Sequence, residues 1–210
     1  MKLYTFPSAP SPQRVHLFMK EKGIDIESQL IDMRAGEHLG EAFKKINPRM
    51  TVPALQLDDG TTISEVIAIL HYLETAYPET PLFGTTAKEK AVITEWEHRI
   101  ESECFMGIAE ALRNRGDAFK NRALPGPLDL AQIPELVDRG RLRTSVFFEV
   151  LNQQLENNEY VAGDQFSVAD ITATVAVNFS RWIKIELPEQ LTHLHAWRER
   201  MMSPDRKMNQ

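Results

Sequence analysis

The chain of 210 residues contains a single cysteine, Cys104. One thiol can form neither an internal disulfide nor a Cys-x-x-Cys redox pair, and a reducing cytoplasm is the expected compartment. No apolar run approaches the roughly 18 residues of a membrane-spanning helix. Met1-Lys2 leads directly into Leu-Tyr-Thr-Phe without the apolar stretch of a secretory signal, so none is expected. Basic residues are not in excess either: 24 Lys and Arg against 30 Asp and Glu give a formal charge of −6. Such a chain has little with which to neutralise phosphates, and nucleic acid is not an expected partner. The short basic run Arg139-Gly140-Arg141-Leu142-Arg143 reads as a solvated helix face. His193 and His195 flank Leu194 without Cys or acidic partners at metal spacing, so no metal site is expected. Internal repeats and low-complexity tracts are missing.

What is present suits a globular protein with a substantial core: 42% of residues are hydrophobic and 26% charged. The first part alternates short strand-like and helix-like pieces. Residues 3–6 read as a strand and 7–11 as a turn-rich loop. A helix follows, with Pro12 suited to its first position and Val15, Phe18 and Met19 at helical spacing. Residues 27–31 form a second strand candidate and 40–46 a short helix. Residues 54–57 and 61–64 flank Asp58-Asp59-Gly60, a hairpin signal. The next helix, from Glu65, carries Val66, Ile69, Leu70, Leu73 and Tyr77 on one face and stops at Pro78. The order β-α-β-α-β-β-α resembles a thioredoxin-like domain.

Residues 78–86, with Pro78, Pro81 and Gly84, read as a linker. Beyond it every fourth residue is apolar: Val92, Trp96, Ile100, Cys104, Ile108 and Leu112. A four-residue step overshoots a 3.6-residue turn by about 40°, so this stripe winds around a long helix covered by several neighbours. Cys104 lies in the stripe and reads as a buried, structural thiol. After a loop at 116–131, helical patterns run over 134–157, 167–183 and 189–202. The expected fold is α/β plus all-α: a thioredoxin-like N-terminal domain (1–77), a linker (78–86) and a C-terminal helical bundle (87–210).

Three local features carry chemistry. Pro53 opens a strand, where a proline without an N–H is tolerated; by itself it reads as a trans residue, since only about 5–6% of X–Pro bonds are cis and the pattern alone does not justify that form. Glu65 stands at the start of a helix, where the dipole favours a carboxylate. Ser11 precedes Pro12 at the expected N-cap position, the commonest place for a serine. Ser167-Val168-Ala169-Asp170 is a capping-box pattern, structural in role, whose loss should cost on the order of 1 kcal/mol.

Thr51-Val52-Pro53-Ala54-Leu55, then Ser64-Glu65-Val66-Ile67-Ala68-Ile69-Leu70 and Tyr72-Leu73-Glu74, resemble the N-terminal domain of cytosolic glutathione S-transferases. Far downstream, Gly163-Asp164-Gln165-Phe166-Ser167-Val168-Ala169-Asp170-Ile171 is similar to the capping motif of that family's helical domain. The resemblance spans most of the chain and implies a bacterial-type member with a Ser/Cys-type active-site loop. It implies a cis Val52-Pro53 bond, with the Val52 backbone pairing the cysteinyl unit of glutathione. Glu65 is then the acid that meets the γ-glutamyl ammonium, with Ser64 and helix N–H groups on the γ-glutamyl carboxylate. His38 is implied at the glycyl carboxylate. A thiol of pKa about 8.5 is mostly protonated at pH 7, and a hydroxyl at a helix N-terminus would favour the thiolate. Ser11 is the preferred contact and Ser8 the alternative. Tyr4 lies in the strand, as does the catalytic Tyr of some classes.

Two positions depart from the family pattern. Ala9 stands where some classes carry their catalytic Ser or Cys, and Val66 stands where a Ser commonly follows the acid. The expected activity is glutathione transfer to a small hydrophobic electrophile or a peroxide, with glutathione as co-substrate and no other cofactor. Glutathione-dependent isomerisation of a maleyl-type substrate, or a non-catalytic binding protein on the same fold, are the alternatives. The resemblance also implies a homodimer, using the helix after Glu65 and the helix around Trp96 to Met106, where Phe105 and Met106 lie off the apolar stripe. Neither nucleic acid nor membrane is an expected partner.

Overall fold

In the computed structural model, which describes residues 1–203, the chain divides into two compact units. The first comprises Met1–Thr80 with Leu124–Asp129, the second Pro81–Ala123 with Leu130–Gln210. The division falls inside the expected linker, whereas the membership of Leu124–Asp129 in the first unit has no counterpart in the sequence reading. Residues 204–210 of the expected helical domain lie outside the described residues.

The first unit runs β1 (Lys2–Thr5), α1 (Pro10–Lys22), β2 (Glu27–Leu30), α2 (Glu41–Lys44), β3 (Ala54–Gln56), β4 (Thr62–Ile63) and α3 (Val66–Ala76). The sheet order is β2-β1-β3-β4, with β1 parallel to β2 and both other pairings antiparallel. A parallel pair needs a crossover, which α1 supplies, whereas β3 and β4 need only a tight turn. That turn is closed by Leu57 N–H donating to Thr61 O at 2.8 Å and by Thr61 N–H donating to Asp59 Oδ1 at 2.8 Å. Gly60 takes φ 88°, a left-handed value that suits glycine.

Side chains alternate across the sheet. Tyr4 and Ala54, directly opposite in register, share one core cluster with Ile31, Phe43 and Val52. Leu3 and Leu55, also paired, are fully buried on the other face. Helices α1 and α3 pack on each other. Their ends are tied by Lys22 Nζ, which donates to Glu74 Oε2 at 2.7 Å. Strand β2 forms the edge and all four of its residues are exposed.

The second unit contains α4 (Ala87–Arg99), a π-helical segment (Ile100–Phe105), α5 (Met106–Arg113), α6 (Glu135–Glu156), α7 (Val168–Phe179) and α8 (Thr192–Met201). The four-residue apolar stripe crosses the π segment. There, i→i+5 bonding takes more residues per turn, so a step of four falls short instead of overshooting. The stripe is thereby rotated back toward one side, and Trp96, Ile100, Cys104 and Ile108 are all buried. Desolvation raises the Cys104 thiol pKa, in keeping with a structural thiol.

Helices α5 and α6 meet at two glycines. A Cβ on Gly140 would lie 2.4 Å from Gly107 O, and one on Gly107 would lie 3.1 Å from Gly140 O. Only hydrogen at both positions allows this approach. Phe105 differs from the sequence expectation of an exposed patch. It is 6% exposed, with its ring 5.3 Å from that of Phe179 in α7, whereas Met106 is 46% exposed. An off-stripe residue is simply covered by another helix of the same unit.

The Ser167–Asp170 capping box is present at the start of α7. Asp170 does more than cap. Its carboxylate is fully buried and accepts from Ser167 N–H (3.0 Å), Ser167 Oγ (3.2 Å), Val161 N–H (3.0 Å) and Trp197 Nε1 (2.9 Å). One carboxylate therefore joins α7, the loop before it and α8. Desolvation outweighs these donors and pushes its pKa up to about 6.

Candidate functional site

The sheet topology gathers the sequence-selected residues of the first unit at one end. Strand β1 runs toward the loop that holds Ser8. Antiparallel β3 begins beside the end of β1, just after Val52-Pro53, and β4 ends beside it at Ser64-Glu65. Parallel β2 also ends there, where Ile31 N–H donates to Thr5 O at 2.8 Å, and the chain continues to His38.

The first loop is a turn, with Ala9 N–H donating to Phe6 O at 2.8 Å. The N-cap of α1 is Ala9, in extended conformation and without a side-chain cap bond. The sequence expectation of Ser11 as cap is therefore corrected. Pro10 takes the first helical position, which Pro12 could equally have filled by local rules, and Ser11 lies inside the first turn. This shift has a chemical consequence. Of the three open N–H positions in that turn, two belong to prolines that have none, leaving the Ser11 N–H and hydroxyl as the donors there. The Ser11 and Ser8 hydroxyls make no hydrogen bond among the described residues; Ser8 is exposed and Ser11 half-buried. Behind the loop, His16 Nε2 lies 2.8 Å from Thr5 Oγ1, and burial lowers the imidazole pKa. Tyr4 is a core residue, 6% exposed, with its hydroxyl donating to Gln56 Oε1 at 3.2 Å.

Val52-Pro53 is cis. The Val52 side chain joins the core cluster, while its backbone N–H and C=O make no hydrogen bond among the described residues. These groups lie immediately before β3, so they offer an extended peptide one donor and one acceptor. The segment is fixed by Asn47, 1% exposed, whose Nδ2 donates to Thr51 O at 2.7 Å and whose Oδ1 accepts from Arg49 N–H at 3.0 Å.

Glu65 is the N-cap of α3, one position before the first turn in which the sequence placed it. Its carboxylate does not cap the helix. It pairs with Arg49 Nη2 at 2.8 Å, both side chains being well exposed. The N–H groups of Val66, Ile67 and Ala68 thus remain open at the positive end of α3, next to the Ser64 hydroxyl, which is also without a partner among the described residues. Arg49 went unnoticed in the sequence. The signal available was an Asn-Pro-Arg turn, which gives no indication of a carboxylate sixteen positions on.

His38 sits in a 3-10 turn, Glu37–Leu39, and is 2% exposed. The loop before it is held by Asp32, whose Oδ1 accepts from Arg34 N–H (2.9 Å) and Ala35 N–H (3.0 Å). Among the described residues no three His, Cys, Asp or Glu side chains converge as a metal site would require, and no helix is long and apolar enough to cross a membrane.

Comparison with known proteins covers both units. Residues 9–76 match the glutathione S-transferase N-terminal domain, and residues 113–205 the glutathione S-transferase C-terminal domain. Glutathione S-transferase 2 of Saccharomyces cerevisiae is 33% identical over 206 residues, covering 96% of this chain and 85% of that protein. A solved glutathione S-transferase domain-containing protein of Marinobacter aquaeolei superposes with a TM-score of 0.88 at 34% identity, covering 99% of this chain and 100% of the other. A class Gtt2 glutathione S-transferase of Vibrio parahaemolyticus gives 0.84 at 32% identity, over 100% and 96% of the two chains. With a thioredoxin-like unit, an all-helical unit and these matches along almost its whole length, the chain belongs to the glutathione S-transferase family.

Proposed function

We propose that the protein binds glutathione along the sheet end described above and presents its sulfur, as thiolate, to a hydrophobic electrophile or a peroxide. The observation that carries this reading is the unpaired Val52 backbone, set between the open N-terminus of α3 and the Ser11 turn. The cysteinyl unit pairs with Val52 N–H and C=O. The γ-glutamyl carboxylate takes the open N–H groups of α3 and Ser64, while Glu65 exchanges Arg49 for the ammonium. His38, buried in its turn, shapes the glycyl end.

Catalysis on this reading is electrostatic. The thiol proton leaves to solvent, and the Ser11 hydroxyl with its N–H stabilises the sulfur anion at the α1 N-terminus. Ser8 is the alternative donor. Glutathione is the co-substrate, and two copies of the chain form a homodimer through the α3 and α4–α5 faces, where Ile67 and Met106 are exposed.

Calorimetry with glutathione is the first test, since no binding at millimolar concentration refutes the reading. Conjugation of a chlorinated dinitrobenzene and reduction of an organic hydroperoxide follow, with Ser11→Ala expected to raise the pKa of bound glutathione, read by thiolate ultraviolet absorbance. One observation favours a second, non-catalytic reading: with Ala9 as N-cap and two first-turn prolines, Ser11 is the one residue of that turn with donors for sulfur. Binding without turnover in both assays would select it.

A further inference from the structure

The second unit has a small polar cavity of about 70 Å³. Its lining includes Arg181, Glu186, His195 and Arg198, with Ser180 and Ile185 at its side. Arg181 belongs to the 3-10 segment Ser180–Ile183 that follows α7, while His195 and Arg198 come from successive turns of α8. Three nitrogen-bearing side chains thus face one carboxylate.

The carboxylate is already engaged. Glu186 Oε2 lies 3.4 Å from Arg181 Nε. His195 Nε2 lies 3.2 Å from Pro188 O, which fixes the proton on that nitrogen and leaves Nδ1 for another partner. Arg198 is different. It enters no ion pair among the described residues, and its Nε is shielded from solvent without a hydrogen-bond partner there. Burial and the charge of Arg181 lower its pKa, with Glu186 opposing them. A guanidinium is nonetheless charged at neutral pH and offers a planar fork of donors. An N–H shielded from water without an acceptor is unfavourable, and an oxyanion that reaches the Nε corner of the Arg198 guanidinium corrects it.

We propose that this cavity is an anion-binding site for a compact oxyanion, a carboxylate or a phosphate group, held by the Arg198 fork with Arg181 as second cation. The volume sets the class. A cavity needs roughly 10–15 Å³ to hold one water, so about 70 Å³ accommodates a carboxylate or tetrahedral oxyanion but not a nucleotide or a tripeptide. Ser180 does not contribute a free hydroxyl, because its single O–H is shared between Val177 O and Ile185 O, each 2.9 Å from Oγ. Its role is to hold the turn that carries Arg181. None of these residues belongs to the glutathione site proposed for the first unit, so the two readings stand or fall separately.

The test titrates the whole protein with inorganic phosphate and, separately, with acetate, at ionic strength held constant with sodium chloride. Thermal unfolding and the imidazole resonances of His195 are recorded together. Wild type should gain several degrees in Tm at 10–50 mM of the preferred anion, about 2.7 kcal/mol of linkage being reached at a hundredfold excess over Kd. His195 should shift saturably along the same curve. Arg198→Gln, checked for native circular dichroism, should lose at least tenfold in affinity. If phosphate acts and acetate does not, the ligand is a phosphate group; the converse identifies a carboxylate. No saturable His195 shift with either anion in the wild type overturns the proposal, whatever the variant does. So does an equal response in wild type and a folded Arg198→Gln.

Discussion

Replacing Asp170 by Asn keeps the size and shape of the side chain but reverses the polarity of one of its two heads. The wild-type carboxylate is wholly buried and accepts four hydrogen bonds, two on each oxygen. In Asn the remaining carbonyl can still face Val161 N–H and Trp197 Nε1–H. The amide NH2 then confronts the Ser167 N–H, and a donor meets a donor. A buried donor left unsatisfied costs about 1–3 kcal/mol, with the lost charge-assisted bonds at the upper end. Relief from burying a charge offsets part of this. We expect Asp170→Asn to destabilise by about 2–3 kcal/mol at pH 7.5, a fall in Tm of roughly 4–12 °C for a chain of this size. The pH dependence sharpens the test. The folded pKa, pushed up to about 6 from a reference of 3.8, means that the native state holds a proton the unfolded state has released across this window. The resulting stability is fully present below about pH 3.8 and is lost as pH rises through 6; at about 1.4 kcal/mol per pKa unit it amounts to roughly 3 kcal/mol. Asn cannot titrate, so the gap between wild type and variant should widen from pH 7.5 to pH 4.5. Urea unfolding followed by circular dichroism measures both gaps. A variant within 1 °C of wild type at pH 7.5, or a gap that narrows on acidification, would refute this account of the carboxylate.

Four further outcomes are expected. Gly140→Ala adds a methyl 2.4 Å from Gly107 O and 2.9 Å from the Ala111 backbone nitrogen; it should destabilise by about 1–3 kcal/mol despite the better helix propensity of Ala, and a stabilised variant in thermal unfolding would contradict the close approach of α5 and α6. Cys104, fully buried with its thiol pKa raised by desolvation, should react with an aromatic disulfide reagent at least a hundredfold more slowly in native protein than in urea, and comparable rates would place it at the surface. Glu65→Ala removes a charge-assisted contact of about 1.5–3 kcal/mol and should weaken glutathione binding at least tenfold, whereas His38→Ala should have a smaller effect; equal losses by calorimetry would contradict the roles proposed. Sedimentation equilibrium at micromolar concentration should show a species of twice the 24.0 kDa chain mass, and a single-chain species alone would defeat the dimer.

Local pattern was enough for most of the elements. Apolar residues at helical spacing located α3, α6 and α7, Asp58-Asp59-Gly60 located the hairpin, and Ser167 with Asp170 marked a helix start, because periodicity, turn chemistry and capping act over a few neighbouring residues. The motif around Pro53 carried the family and the cis bond through resemblance, something that spacing alone does not justify. Tertiary structure decided the rest. Pro10 and Pro12 both satisfy the first turn of a helix, and only the Ala9-to-Phe6 turn selects Pro10 and moves Ser11 inside. Phe105 is buried because Phe179 arrives from a helix far along the chain, which no heptad or stripe could announce. Arg49 meets Glu65, Asp170 gathers Trp197, and Arg181 faces Arg198 across a cavity for the same reason. Secondary structure follows from each residue's near neighbours, whereas the partner of a charge and the burial of a ring depend on which distant segments the fold brings within a few ångströms.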